Sequence, residues 1–490
     1  MIRRKLTLAV AALAVLVSGC ALPGPRALDA AVPDHFAEAP APAPAAAPEP
    51  DLADWWKGFN DQVLDDLVAR TLADNLDLRQ TAARIEQARQ QAIMTGARGL
   101  PQLQADAGAS RTRISEHAIP VPPGQSTGGR PSPFGLPGSE FNSYHLGVDA
   151  SWQVDLFGGI RSAAQGARAR TQAAQWSRRD LQVSLAAETA SHYLALRALQ
   201  QREAIAWDEL SRQREVLSIV RARAGAGLVT GLDVEQQQAL VNAAEARTYP
   251  LEAQARAEIH ALGVLAGEAP DALAERLARV QALPAAPPMP AAGLPSSLLR
   301  RRPDIRRAER EVAAAAADVG VAAADLYPQL TLSAQPDFVS TALSSLLDWS
   351  SRSYTLSAGV LWPIFEGGRL KAALARADAA QTEALLAYRK TVLVGLRDVE
   401  DALARCQADE AARGSLQASL DQARGAEALA RDQQRAGLTN FVGVLTAQQA
   451  VTGGEDQLAQ AELARAQDVV SLYRALGGGW DGREFEEKTP

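Results

Sequence analysis

The chain is poor in the residues on which disulfide-bonded proteins, metal proteins and large compact cores depend. Its 490 residues include only two cysteines, Cys20 and Cys406, which excludes a disulfide framework, a cysteine-rich zinc site and an iron–sulfur cluster. Aromatic residues make up only 5% and the formal net charge is −7, so no global cationic surface for nucleic acid is expected. Alanine supplies much of the apolar 47%, and charged, alanine-rich sequence favours long helices packed side by side.

Long hydrophobic runs are also scarce. An apolar stretch at residues 6–17 follows a basic segment at residues 2–5 and is too short to span a bilayer, so residues 1–19 predict a signal peptide. The segment ends in Leu16-Val-Ser-Gly-Cys20, which resembles a bacterial lipobox. Cleavage there would leave Cys20 as an N-terminus carrying lipid such as palmitate; the alternative is an ordinary secretory signal whose cysteine is incidental. By resemblance to lipoproteins, Ala21 at the next position favours sorting to the outer membrane.

The rest of the sequence is a duplicated unit. Four pairs of similar segments occur in the same order, at offsets of 227, 227, 208 and 210 residues. They are Asn75–Arg79 with Arg302–Arg306, Pro101–Leu103 with Pro328–Leu330, Phe157–Arg161 with Phe365–Arg369, and Gly227–Leu228 with Gly437–Leu438. The fall in offset predicts an insertion in the first copy, and the Pro/Gly/Ser-rich stretch 117–140 is the segment that fits.

These boundaries divide the chain into two repeats and the segments around them. Repeat 1 covers 55–282 and repeat 2 covers 296–480, with a Pro-rich connector at 283–295 and a C-terminal tail at 481–490. Residues 20–54, rich in alanine and proline, predict a lipidated N-terminus and a stiff, unpacked tether.

Each repeat contains two segments in which apolar and polar residues alternate. The predicted strands lie at about 101–115, 142–156, 328–340 and 352–365. A period of two predicts a β-strand with one apolar face and one polar face. An antiparallel sheet packed on one side in a soluble protein gives the same pattern, so this reading stays open.

Aromatic residues on the apolar side favour strands that cross a membrane. Tyr144 and Trp152, and likewise Tyr354 and Trp362, lie eight residues apart. In a tilted strand that spacing projects to roughly 20 Å, close to the separation of the aromatic girdles of an outer membrane barrel. Four strands are too few to close a barrel, for which about eight is the smallest bacterial number. The membrane interpretation therefore requires several protomers, and a trimer with twelve strands is the simplest solution.

A very long helix follows the strands in each repeat. No proline occurs at 160–226 or 370–436, and a continuous helix of that length would extend roughly 100 Å. Gly227 and Gly437 suit the left-handed position that ends a helix, and Thr230 with Asp233 resembles a capping box for the returning helix. These features fit helix-hairpin turn chemistry alone, but an apolar Leu228 or Leu438 beside each glycine also makes a plausible docking contact.

Together these motifs resemble the TolC-like outer membrane efflux proteins, in the lipoprotein branch of resistance–nodulation–division systems. The resemblance covers nearly all of the mature chain. It rests on Trp55-Trp-Lys-Gly-Phe59-Asn-Asp61, Asn75-Leu-Asp-Leu78, Arg301-Arg-Pro-Asp-Ile-Arg306, Ala324-Asp-Leu-Tyr-Pro-Gln-Leu330, Phe365-Glu-Gly-Gly-Arg369, Arg435-Ala-Gly-Leu438 and Leu472-Tyr-Arg-Ala-Leu-Gly-Gly-Gly-Trp480.

The resemblance implies a mainly α-helical channel-tunnel with membrane β-strands. Four strands per protomer would form a twelve-stranded barrel in a homotrimer, continuous with a long α-helical barrel in the periplasm. The partners implied are a periplasmic adaptor, an inner membrane resistance–nodulation–division pump and outer membrane lipid. In the family the adaptor docks at the hairpin tips, which here are Gly227, Leu228, Gly437 and Leu438.

The resemblance also implies a periplasmic gate just beyond the tips. Val442 and Thr446 occupy positions where relatives can carry a leucine and an aspartate, and Leu232 and Gln236 are their counterparts in repeat 1. Thr446 departs from the acidic pattern, and a constriction of valine and leucine would close by excluding water.

We expect a passive duct rather than an enzyme. Phosphate-loop, HExxH and paired-cysteine motifs are absent, so no metal and no cofactor beyond the lipid on Cys20 is expected. Cys406 lies in a helical seam and is expected to be a small buried hydrophobe. Three alternatives remain: a lipid-anchored periplasmic adaptor, which would have one hairpin rather than two, a soluble coiled-coil scaffold, which leaves the strands unexplained, and an envelope hydrolase, for which no constellation is present.

Overall fold

A computed structural model describes residues 32–39, 52–113, 115, 140–290, 292–436, 438 and 441–481. Cys20, Gly437, the signal peptide and all but the last residue of the predicted 117–140 insertion lie outside these described residues. Across the part of the chain that is described, no helix is both long and apolar enough to cross a bilayer.

Apart from one additional helix at the start of repeat 1, the elements occur in the same order in both repeats. Repeat 1 has α1 (Gln62–Asp74), α2 (Leu76–Ala97), β1 (Gln102–Arg113), β2 (Glu140–Val154), α3 (Gly159–Gly225) and α4 (Gly231–Leu265). Repeat 2 has α5 (Pro303–Ala324), β3 (Gln329–Ser340), β4 (Arg352–Leu361), α6 (Arg369–Arg435) and α7 (Phe441–Ala475). Single helical turns lie at Trp55–Phe59, Ala274–Leu277, Pro295–Ser297, Leu298–Arg301, Leu343–Ser345 and Trp349–Ser351.

The duplication is confirmed element by element. The long helices α3 and α6 both have 67 residues, and the return helices α4 and α7 both have 35, at an offset of 210. Helices α2 and α5 both have 22 residues, and strands β1 and β3 both have 12, at an offset of 227. The offset therefore changes between β1 and α3, where the insertion is predicted.

The described residues form two compact units, and each unit contains parts of both repeats. One unit is built from 87–171 and 311–384 and includes the whole sheet. The other unit is built from the described residues up to 86, from 172–310 and from 385 onwards. The division does not follow the repeat boundaries because the strands of both repeats join one sheet.

The sheet is antiparallel with strand order β1-β2-β3-β4, and its register separates apolar from polar residues. Leu103, Ala150, Ala334 and Leu356 pair in turn across the four strands and form an apolar row. The neighbouring row is polar and consists of Gln102, Ser151, Ser333 and Ser357. Leu103 and Leu356 are 74% and 72% exposed, so these apolar side chains are not buried in a core. The alternative of a one-sided sheet packed on its own core is therefore wrong.

Strands β2 and β4 end earlier than predicted. β4 ends at Leu361 rather than near residue 365, because Pro363 lacks the N–H group that a further ladder bond needs. Trp362 therefore lies just beyond the strand. β2 ends at Val154 rather than 156, since the Asp155 carboxylate accepts hydrogen bonds from the first turn of α3, at 2.8 Å from the Arg161 N–H.

The prediction of an unpacked tether at 20–54 is wrong for its described parts. Phe36 is buried, and the Glu400 carboxylate on α6 accepts hydrogen bonds from the N–H groups of Ala37 and Glu38 at 2.8 and 2.9 Å. The Gln407 amide also donates to the Glu38 carbonyl at 2.6 Å. One buried aromatic and a carboxylate on a distant helix are enough to fix a segment whose composition alone predicts no packing.

The core of the helical unit surrounds the tryptophans of the Trp55–Phe59 turn. Trp55 stacks on Tyr473 with ring centroids 5.1 Å apart, and both tryptophans are buried. Asp61 caps α1 by accepting from the Val63 N–H, and its other oxygen accepts from the Tyr193 hydroxyl at 2.6 Å. The aromatic motif at the start of repeat 1 is thus a packing and capping motif that joins α1 to α3.

Both return helices end in the same glycine-dependent turn. The Glu268 N–H donates to the Gly263 carbonyl, and the Gly478 N–H donates to the Tyr473 carbonyl, both at 2.9 Å. This bond pattern requires a left-handed residue at Gly267 and Gly477, whose φ angles are +75° and +76°.

Gly267→Ala should destabilise the protein more than Gly227→Ala, although both glycines have a positive φ. A Cβ at Gly267 would lie 2.6 Å from the Asp74 carbonyl oxygen, whereas a Cβ at Gly227 meets nothing within 4 Å. Gly227→Ala should lower the free energy of unfolding by about 1 kcal/mol for the backbone alone. The clash should raise the loss for Gly267→Ala to about 2–4 kcal/mol. Equal shifts in thermal unfolding, followed by helix circular dichroism, would contradict this packing.

Candidate functional site

The first hairpin tip joins α3 to α4 through a closed turn. The Gly227 N–H donates to the Ala224 carbonyl and the Leu228 N–H donates to the Arg223 carbonyl, which confirms Gly227 as the left-handed residue that ends α3. Thr230 and Asp233 form the predicted capping box. Hydrogen bonds from Thr230 lower the pKa of Asp233, so the box holds its carboxylate in the charged form.

The second tip carries the equivalent bond where it is described. The Leu438 N–H donates to the Gln433 carbonyl at 2.8 Å, matching the bond made by Leu228. Gly437 and the predicted cap at Thr439 or Asn440 lie outside the described residues. Leu228 and Leu438 are 73% and 79% exposed, so both tips present an apolar side chain to their surroundings.

The side chains predicted to form a gate lie within the first turns of α4 and α7. Leu232 and Val442 are exposed, and so are Gln236 and Thr446 one turn further on. The Thr446 hydroxyl donates to the Val442 carbonyl at 3.0 Å, within its own helix. The four positions are therefore apolar or uncharged.

The tryptophans and the tyrosines of the sheet lie towards opposite ends of β2 and β4. The Trp152 indole N–H donates to the Gly99 carbonyl at 2.9 Å, and the Trp362 indole N–H donates to the Leu326 carbonyl at 3.3 Å. Both acceptors lie just beyond the helix that precedes a strand, so the two repeats fix their tryptophans in the same way. Tyr144 and Tyr354 lie nearer the opposite ends of β2 and β4. An indole with its apolar body outward and its N–H bonded suits a membrane interface.

Comparison with known proteins identifies the family. The sequence model described as "Outer membrane efflux protein" matches residues 67–268 and 294–478. The chain belongs to this family.

Relatives and solved structures agree with that assignment. This efflux protein is 36% identical to the pyoverdine export outer membrane protein OpmQ of Pseudomonas aeruginosa over 88% of each chain. It is 30% identical to the toluene efflux pump outer membrane protein TtgF of Pseudomonas putida over 98% of each. The outer-membrane channel OprN has a TM-score of 0.83 and 32% identity, covering 94% of this chain and 100% of that one. VceC from Vibrio cholerae has a TM-score of 0.77 and 26% identity, covering 88% and 99%.

The predictions of family, fold, localisation and efflux function are thereby confirmed. The fold is that of a channel-tunnel, with long helices and a small four-stranded sheet. The protein is an outer membrane protein and serves as an exit duct for efflux. Its family is one of channels rather than enzymes.

The efflux protein also contains a charged cavity that sequence patterns did not reveal. The cavity has a volume of about 630 Å³ and lies among α3, α5, α6 and α7. Its charged lining consists of Asp180, Asp304, Asp398, Asp401, Arg302, Arg307, Arg397, Arg405 and Arg474. Burial raises the pKa of Asp180, and Asp304 adds to this effect, while the arginines Arg307, Arg302 and Arg474 oppose it. These residues come from four helices, so no local spacing in the sequence points to the site.

Cys406 is buried, as predicted. Burial raises the pKa of its thiol to about 11, and a protonated, inaccessible thiol is inert.

The base of the first hairpin holds an ion pair that depends on pH. His192 Nδ1 on α3 lies 2.6 Å from a Glu258 carboxylate oxygen on α4, and Glu188 is also nearby. The hydrogen bond to Glu258 raises the pKa of His192 above its ordinary value, although burial opposes this.

His192→Gln should therefore cost more stability at acid pH than at alkaline pH. A histidine whose pKa is raised on folding contributes stability that is fully present below its ordinary pKa, near 6.5, and is lost as pH rises through the folded value. The difference in thermal unfolding temperature between the wild type and His192→Gln should be larger at pH 6 than at pH 9. A constant difference would show that the pair does not titrate as described.

Proposed function

We propose that the chain works as a passive homotrimeric duct that carries small organic molecules, such as drugs or other toxic compounds, across the periplasm and outer membrane. One observation carries this proposal: the sheet has an uncovered apolar face, a polar face and two edge strands. A sheet with these features is completed when copies of the chain pair β4 of one with β1 of the next. The apolar face then contacts lipid and the polar face lines a shared aqueous bore.

The polar face supports passive transport without strong selection. Its lining positions are serine, threonine, glutamine and aspartate, such as Gln104, Asp149 and Thr331. The Ser333 and Ser357 hydroxyls bond each other at 2.6 Å, and His145 Nε2 lies 3.2 Å from an Asp106 oxygen. Side chains that satisfy one another leave a wet surface rather than a shaped pocket, so selection of the substrate would fall to the inner membrane pump. Two relatives are named for the export of pyoverdine and of toluene, and both compounds are small organic molecules.

The hairpin tips are the proposed docking site for a periplasmic adaptor. Leu228 and Leu438 occupy equivalent, exposed positions, each held by a backbone bond to the preceding helix. Below its tip, the first hairpin is held together by an apolar cluster of Leu210, Leu217 and Val241. The Gln237 amide also donates to the Gln213 side chain at 2.6 Å. A fixed apolar side chain at the end of a supported hairpin loses little entropy when a partner covers it.

The gate is proposed to close by excluding water rather than by charge. Leu232 and Val442 would form the constriction, with Gln236 and Thr446 one turn further along. The Thr446 hydroxyl is bonded to its own helix, and the side chain carries no charge. Narrow apolar rings of this kind gate by dewetting.

Lipid on Cys20 is the proposed second attachment to the outer membrane. The lipobox-like sequence before Cys20 supports it. Acyl chains on one cysteine would anchor the protein in addition to the sheet. Each buried methylene would contribute roughly 0.8 kcal/mol to the free energy of membrane binding.

Leu228→Asp combined with Leu438→Asp should abolish export, because a charged tip cannot bury an apolar contact with the adaptor. Export is measured as drug susceptibility of cells that depend on this protein. Leu228→Met with Leu438→Met is the matched control and should retain export, since the tips stay apolar. Both variants should migrate as heat-modifiable trimers. Unaffected export by the aspartate pair would refute docking at the tips.

Cys20→Ser should abolish incorporation of labelled palmitate but leave the protein in the outer membrane fraction, because the apolar face of the sheet still requires lipid. Detergent should remain necessary to extract it as a trimer. Release of the variant by a detergent-free wash would overturn the proposed membrane sheet and favour a lipid-anchored scaffold.

A further inference from the structure

Three arginines lie on the apolar face of the sheet, at one end of its strands. Alternate residues of a strand share a face, so Arg111 and Arg113 lie on the same face of β1 as Leu103. By the same alternation, Arg352 lies on the face of β4 that carries Leu356. The three arginines, all of them exposed, are called the arginine rim. A cation on a lipid-facing surface costs least near a membrane interface, so the position of the rim along the strands is informative.

The arginine rim lies just beyond the tyrosines of the sheet. Arg352 is two residues from Tyr354 on the same face, towards the start of β4. Arg111 pairs with Asn142, which is two residues from Tyr144 towards the start of β2. Two residues span roughly 7 Å of strand, and the tyrosines suit one edge of the apolar band. The arginines therefore reach the level of the lipid headgroups, where phosphate groups lie.

The chain connections place this end of the sheet in the outer leaflet. At the opposite end, β2 and β4 lead into the long helices α3 and α6, which the proposed duct places in the periplasm. The residues two positions beyond Trp152 and Trp362 at that end are Val154 and Ile364, and both are apolar. The two ends of the apolar face therefore differ in charge, and the cationic end is the outer one.

Arg352 is held in place while most of its donors stay available. Its guanidinium carbon lies 4.3 Å from the centroid of the Trp349 ring, and its Nη1 donates to the Trp349 carbonyl at 3.3 Å. In the part of the chain that the structure describes, no carboxylate lies within ion-pair distance of this guanidinium. Because a guanidinium has several N–H groups in a planar fork, Arg352 can still donate to two oxygen atoms of one phosphate.

The connection between β3 and β4 fixes Trp349 at the surface. The Ser351 hydroxyl donates to the Ser345 carbonyl at 2.7 Å, and the Ser340 and Ser345 hydroxyls bond each other at 2.8 Å. Leu347 and Trp349 are 71% and 73% exposed. An indole and a leucine beside a cation suit a membrane interface, because the apolar groups contact acyl chains while the charge meets the headgroups.

Arg111 is oriented by a carboxylate that does not cover it. The Arg111 Nη2 donates to a Glu140 carboxylate oxygen at 2.7 Å, and the Arg113 Nη1 lies 3.5 Å from the other oxygen. The Arg111 side chain is nevertheless 72% exposed. An arginine that is already oriented loses less conformational entropy when it binds a further anion.

We propose that the arginine rim binds the phosphate groups of outer-leaflet lipid. The proposal rests on the duct proposed above and names the headgroup chemistry that the outer edge of its sheet recognises. The occupant is a phosphorylated lipid because the apolar face contacts acyl chains and the arginines directly beyond it supply forked donors for phosphate. A neutral lipid would satisfy only the apolar face, and a free phosphate ion would satisfy only the arginines.

Lipid binding to purified full-length trimers in detergent tests the proposal. The probes are lipid A that carries its phosphates and the same lipid after enzymatic removal of the phosphates, and bound lipid is counted by native mass spectrometry. The wild type should bind the phosphorylated lipid about tenfold more tightly, as expected for hydrogen bonds between charged groups. Arg111→Gln combined with Arg352→Gln should remove this preference.

Two further variants separate recognition of phosphate from loss of folding. Arg111→Lys combined with Arg352→Lys keeps the charge and should retain most of the preference. Arg98→Gln is the matched control, since Arg98 is an exposed arginine that precedes β1 at the tryptophan end of the sheet, and it should leave the preference unchanged. All variants should migrate as heat-modifiable trimers.

The outcomes distinguish this proposal from the proposed duct. Equal binding of the two lipids by the wild type, or an unchanged preference in the glutamine variant, would overturn the lipid site while leaving the trimer and its export intact. Displacement of the lipid by inorganic phosphate would assign the arginines to a free anion and would also overturn it. Absence of trimers in the wild type would overturn the proposed duct itself.

Discussion

Strands β1 and β4 each have a row of backbone N–H and C=O groups that no further strand among the described residues pairs with. In hydrocarbon such groups cost several kcal/mol each if they remain unpaired, so a sheet whose apolar face contacts lipid cannot stop at these edges. In the same sheet the apolar side chains of Leu103 and Leu356 are exposed. Assembly of several copies is therefore a requirement of the backbone and of the apolar face together, and the proposed trimer satisfies both.

Because the chain is duplicated, the same contacts occur at equivalent positions of the two repeats. Asn75 and Arg302 precede equivalent helices, and each donates to the last turn of a return helix, at the Leu265 and Ala475 carbonyls respectively. The contact is kept while its chemistry differs: an amide in repeat 1 and an arginine bonded to Asp304 in repeat 2. Differences between equivalent positions therefore show where the two repeats have different neighbours.

The sequence predicted the features that local spacing determines. Period-two alternation located all four strands, the absence of proline located both 67-residue helices, and Gly227 with Thr230 located the first turn. It did not predict features that depend on residues far apart in the chain. The bonds from Ala37 and Glu38 to Glu400, and the charged cavity built from four helices, have no signature in local spacing. Segment ends such as that of β4 were also missed, because alternation continues past Pro363 although the ladder cannot.

The proposed docking residues and the proposed gate residues lie close together along the chain, which suits a passive duct that is opened by a partner. Leu228 and Leu232 are four residues apart, and so are Leu438 and Val442, so each proposed docking side chain lies close along the chain to a proposed gate side chain. An equilibrium between closed and open forms is shifted by a partner that binds the two forms with different affinity. In the proposed arrangement, a partner that contacts the tips would lie next to the gate residues along the chain. Energy supplied at the inner membrane would then act on the proposed constriction without a signal passing through the long helices.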